Sequence, residues 1–139
     1  MSYLHSASLQ RAVFQALLAD ETLVSLVGQN VFDAMPSGQL PDLFVSLGSE
    51  TVRDASDKTS YATRHEFTIS VISTHSGFLE AKTAAAAIGR VLSDPELTLA
   101  NGQLTFLNFD RATARRDTDS QTRRIDLVFR ARIDTLITE

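Results

Sequence analysis

Seven arginines, Arg111, Arg115, Arg116, Arg123, Arg124, Arg130 and Arg132, fall in a window that holds only three acids, Asp117, Asp119 and Asp126. That window is +4, so the rest of a chain whose total is −4 carries −8. Eleven of the thirteen basic residues are arginine, which forks carboxylates bidentately and is favoured at interfaces. Three readings stay open. The arginines are cross-strand charge pairs on a solvated sheet, or a protein interface, or a nucleic-acid surface. Against the last, no Phe or Tyr lies between Arg111 and Arg124, and the net acidity argues against a general phosphate-neutralising coat.

The other candidate chemistry is thin. His65 and His75 share strand parity, but ten residues at about 3.3 Å each would hold them roughly 30 Å apart, too far for one metal ion. Asp117-x-Asp119-x-Gln121 opens like a calcium loop, yet Thr122 and Val128 stand where such a loop needs Gly and Glu. No glycine pattern makes a phosphate cradle, and no nucleophile elbow or zinc-binding helix motif occurs. With no cysteine among 139 residues, disulfides and thiolate chemistry are excluded. The expectation is a chain without catalytic residues, metal or cofactor.

The length and the 43% hydrophobic content fit one domain spanning residues 1–139. No basic and apolar leader opens the sequence, and the longest apolar run, Ala84–Ile88, is far below the ~20 residues of a membrane helix. No membrane partner is expected. Leu9, Val13 and Leu17 place a helix over Ser8–Ala19, and Asp20 can cap a second that runs into Gly28. Val31–Met35 is a short extended segment, and Leu43–Leu47 a strand. Ser49–Thr63 then lacks core residues. It reads as an arm whose partner lies outside the subunit, or as a long hairpin continuing both flanking strands; the two are compatible. His65–Thr74 alternates as a strand, with Phe67, Ile69 and Val71 inward. Gly77–Leu92 is a helix with a buried face of Ala81, Ala84, Ala85, Ile88 and Leu92. Asn101-Gly102 predicts a tight hairpin between Leu97–Leu99 and Leu104–Phe106. Two long strands, Leu104–Arg116 and Arg124–Leu136, follow, with Phe106, Phe109, Leu127 and Phe129 in the core and a polar tip at Asp117–Thr122. The class is α+β: a mainly antiparallel sheet with an N-terminal helix and one long helix on one face, a projecting hairpin and a long polar loop.

In that order the segments resemble the tail completion (tail terminator) family of long-tailed, siphophage-like phages and phage-derived gene transfer agents. The resemblance rests on Leu18-Ala19-Asp20, Val31-Phe32-Asp33-Ala34-Met35-Pro36, Gly48-Ser49-Glu50-Thr51, Lys58-Thr59 and Arg64-His65-Glu66-Phe67-Thr68-Ile69. It continues through Gly77…Glu80-Ala81-Lys82, Ala114-Arg115-Arg116-Asp117…Asp119…Thr122-Arg123, Phe129-Arg130-Ala131-Arg132 and Ile137-Thr138-Glu139. The chain departs from it at Ser120-Gln121, where the family usually has a glycine, and at Ala55, where an aromatic is usual.

The resemblance implies a structural virion protein that caps the head-proximal end of a tail tube as a hexameric ring and forms the tail side of the head–tail joint. Its implied partners are further copies of itself, the tail tube protein and the head-tail connector or stopper protein, with DNA only passing through the lumen. The implied location is the bacterial cytoplasm during assembly and then the virion. On this reading Arg115, Arg116, Arg123 and Arg124, with Asp117 and Asp119, form a subunit or tube-facing rim. Glu50, Arg53, Asp54, Asp57, Lys58 and Tyr61 form its counterpart, and both segments order on contact. A head-side connector of the same neck and a small nucleic-acid-binding module are the alternatives.

Overall fold

Leu9, Val13 and Leu17 recur on one stripe of α1 (Ser6–Ala19), and all three are buried. Asp20 ends α1 and starts α2 (Glu21–Val27), its carboxylate accepting the Leu23 N–H at 2.9 Å. Gly28 then takes φ +63° and turns the chain into β1 (Val31–Phe32). β2 (Leu43–Asp54), β3 (Ala62–Ser73), α3 (Leu79–Val91), β4 (Gln103–Asp117) and β5 (Thr122–Asp134) follow. The computed structural model describes residues 3–34, 37–93, 95, 97–117 and 121–135.

The five strands form one open sheet in the order β1-β2-β3-β5-β4, with β1 parallel to β2 and every other pair antiparallel. Val45, Val71 and Ile125 share one row, Ile69 and Leu127 the next, Phe67 and Phe129 the next, and His65, Ala131 and Leu107 another. These rows point to the face on which α1, α2 and α3 pack, and the three helices and the sheet share one core. Ala81, Ala84, Ala85 and Ile88 of α3 are buried there, since small side chains let a helix lie close to a sheet. Among the described residues no helix is long and apolar enough to cross a membrane.

Two expectations fail. Leu97–Leu99 forms no strand, so Asn101-Gly102 is not a hairpin turn; among the described residues β4 pairs with β5 alone. Gly102 has φ +84°, and a Cβ there would stand 2.7 Å from Cε1 of His5, so this glycine serves a long-range contact. Phe109 is the second. It is 55% exposed, on the outermost strand at the groove beneath α3, and Phe106 is only half-buried. Register shifts at Leu104/Phe106 and Phe109/Arg111 break simple alternation and turn Phe106 to the face away from the helices.

Candidate assembly interface

The polar stretch after Leu47 is a hairpin, not a free arm. β2 and β3 stay paired as far as Asp54↔Thr63, and Ala62 also pairs with Asp134 of β5. The connecting loop is built by its own carboxylates. Asp57 Oδ1 accepts the N–H groups of Thr59 (2.9 Å) and Ser60 (2.8 Å), and Asp54 Oδ1 accepts from the N–H and hydroxyl of Ser56. These bonds hold both carboxyls below the usual aspartate value: the Ser56 hydroxyl leads for Asp54, the Thr59 N–H for Asp57. The Tyr61 carbonyl accepts the Thr135 N–H at 2.8 Å, while its side chain is half exposed. Lys58 and Arg53 are exposed, and Arg53 lies in one row with Arg64 and Arg132.

Glu50 differs from its acidic neighbours. Its carboxylate meets Nδ1 of His65 at 3.0 Å, accepts from Tyr3 Oη at 3.2 Å and accepts from the Ser6 hydroxyl. His65 is buried, and its Nε2 lies 2.8 Å from the Thr63 hydroxyl. His5 is also buried, 2.9 Å from the Thr135 hydroxyl, and burial pushes its pKa down against the opposing pull of the Asn101 backbone. Glu50 thus ties the start of α1 to the sheet. The sequence does not show either histidine as a structural pin, because the partners that tie them to other elements, Glu50 for His65 and Thr135 for His5, are 15 and 130 residues away.

The β4–β5 hairpin is paired through Asp117↔Thr122. Strand alternation splits its arginines between two faces. Arg115 and Arg124 are opposite each other on the face away from the helices, around Asp126: Arg124 Nε is 2.8 Å and Arg115 Nε 3.8 Å from it. Burial would raise the Asp126 carboxyl, but the Ser70 hydroxyl, Arg124 and Arg115 outweigh it and hold the group below the usual range. Arg116 and Arg123 are on the helix face. Arg123 lies 5.6 Å over the Phe78 ring, and Arg116 donates to Gln121 at 3.4 Å. Asp119 lies outside the described residues. The two candidate segments sit at opposite ends of the sheet, because Ala62 is level with Asp134 whereas Ser73 is level with Arg123. Eleven residue steps put them about 36 Å apart. Within one subunit they cannot meet.

Both sheet margins are open. Among the described residues β4 pairs with β5 on one side only, and β2 beyond Ser46 pairs with β3 only. An apolar groove of about 510 Å³ runs along β4 beneath α3, lined by Ala86, Gly89, Phe109, Ala112, Ala114 and Leu127 among others. Among the described residues no three His, Asp or Glu side chains gather as metal ligands would.

A family model described as tail completion protein gp17 matches residues 11–134. No curated protein matches the chain. Among solved structures, a chain from the virion of a native gene transfer agent (GTA) particle is 51% identical, with a TM-score of 0.91 over 96% of this chain and 99% of that one.

Proposed function

The chain belongs to the tail completion protein gp17 family, a structural rather than enzymatic one, and from that premise we propose that it is a component of a phage-like, gene-transfer-agent virion. It closes the head-proximal end of the tail tube as a ring of six copies, ends tube polymerisation and forms the tail side of the head–tail joint. Its partners are its own copies, the tube protein and the head connector, and its place is the assembled particle. The observation that carries this reading is the 51% identity over 96% of the chain to a virion chain, joined to the family match.

The open margins and the separated acidic and basic segments support ring formation, since a heterologous contact between two different surfaces closes into a ring when the rotation allows. Deleting the gene tests the assignment: particles should carry overlong or uncapped tails. Tails of normal length that fail only to join heads would overturn termination in favour of a head-side connector role.

A further inference from the structure

Phe67, Phe129 and Phe109 lie in one row across the helix face of the sheet, and they touch. Phe67 and Phe129 stack at 5.7 Å, and Phe109 meets Phe129 edge-on at 5.9 Å. At one end the row stops at Phe109, half exposed on the unpaired edge of β4. At the other end it starts at Glu50, which is paired with Phe67, and on Glu50 stands Tyr3, 67% exposed. The row thus reaches both margins of the sheet, as Phe109 on β4 and as Glu50 with Tyr3 on β2. Leu4, 47% exposed, sits beside Tyr3, and the apolar groove sits beside Phe109.

Charge differs between the two margins, −1 on β2 from Glu50, Arg53 and Asp54 and +1 on β4 from Arg111, Arg115, Arg116, Asp110 and Asp117, and the difference widens over the segments that hold them. Residues 1–61, which hold β1, β2 and their loop, carry three basic and seven acidic residues, a net −4. Residues 103–134, which hold β4 and β5, carry seven arginines and five aspartates, a net +2. β2 and β4 also run in opposite directions, since each step β2–β3–β5–β4 is antiparallel. A second copy set beside the first in the same orientation would bring its β2 antiparallel to β4.

We infer that the partner of the β4 edge is the free edge of β2 from a second copy, so that the sheet runs on from subunit to subunit, with that copy's Tyr3 and Leu4 packed against Phe109 and the groove. The pairing rests on the ring proposed above and specifies its contact. It satisfies backbone groups that both edges leave unpaired and joins an apolar projection to an apolar recess. Copies at equal height keep each row continuous. Thr51, Glu66, Arg130 and Asn108 form one such row, so Asn108 of one copy faces Thr51 of the next.

The absence of native cysteine makes the test direct. Thr51 and Asn108 are both exposed. A chain carrying Thr51→Cys and Asn108→Cys, treated with a short bismaleimide in solution and on purified particles, should give a ladder of linked chains ending at the closed ring. Either single variant should give none. Phe109→Ala, at a half-exposed position, should lower the melting temperature by only a few degrees, through loss of the edge contact with Phe129, and lower the ladder yield at least tenfold. A ring seen by native mass or on particles, but without a ladder, would overturn the edge pairing and leave the ring standing. Dimers from a single-cysteine variant would mean a two-fold contact and overturn both. No ring in solution or on particles would overturn the ring, and the pairing with it. An unchanged yield in Phe109→Ala would remove the aromatic continuation.

Discussion

Glu50 shows what a residue type alone does not reveal. In the sequence it is one more acid in a polar stretch; in the fold it is the acceptor for Tyr3, Ser6 and His65. Glu50→Gln keeps the shape but removes the charge, and Glu50→Ala leaves the buried His65 Nδ1 without its acceptor. The alanine variant should lose about 1–3 kcal/mol in denaturant unfolding, and the glutamine variant less. Asp126 carries the clearest pH signature. Its folded carboxyl titrates below its unfolded value, so its stabilisation is complete above the unfolded value and is lost as pH falls through the folded one. Asp126→Asn should therefore unfold more easily than the natural chain near neutral pH, with the difference shrinking in that acid window. A difference that grows on acidification would reverse the assignment. Alternation correctly marked Phe67, Ile69 and Leu127, because period two is local. Phe109 was illegible, because its exposure depends on which strand is outermost.

At the scale of elements, the signals that survived are those written in adjacent residues. The α1 stripe, the Asp20 cap and the alanine face of α3 each need only a turn or two of neighbours. The Asn101-Gly102 signal is equally local, and it misled: β4 gains a fully paired partner in β5, and Gly102 is needed beneath His5. Gly102→Ala should cost roughly 1–3 kcal/mol, since its Cβ would meet His5 and the Asp134 carbonyl while the backbone keeps a positive φ. Thermal unfolding checks it, and a neutral result would show that the loop re-forms without the glycine. The Ser49–Thr63 stretch looked structureless for a different reason. Its order comes from strand pairing and from aspartate-to-backbone bonds, neither of which needs an apolar side chain.

For the whole molecule, the candidate rim was legible as a charge excess and illegible as geometry. Arg115 and Arg124 face one way, Arg116 and Arg123 the other, so these four arginines do not share one face of the sheet. Arg115 and Arg116 are nevertheless exposed. Arg115→Glu combined with Arg116→Glu should change folding stability by at most about 1 kcal/mol. The same double variant should fail to complement a deletion strain, as scored by particle yield; full complementation would remove these arginines from assembly. A ring drawn together by opposite margins should also loosen in salt, as the screening length falls from about 8 Å at physiological strength to about 3 Å at 1 M. Light scattering across a salt series would report it as a falling mass, and a ring mass independent of salt would leave edge pairing and apolar contact as the main forces.

The position of β5 in the sheet has a consequence for how the chain is made. Among the described residues it follows the other seven elements in sequence, yet it lies between β3 and β4 and is the only strand that touches both. The β1–β2–β3 portion precedes β4 in the chain, and within the sheet only β5 joins the two among the described residues. The sheet thus assembles around the latest of its strands, and commitment to the native fold waits on contacts between segments distant in the chain, which form slowly. Until β5 pairs with it, β4 has no strand neighbour among the described residues, and an unpaired strand of this kind is open to pairing with another chain.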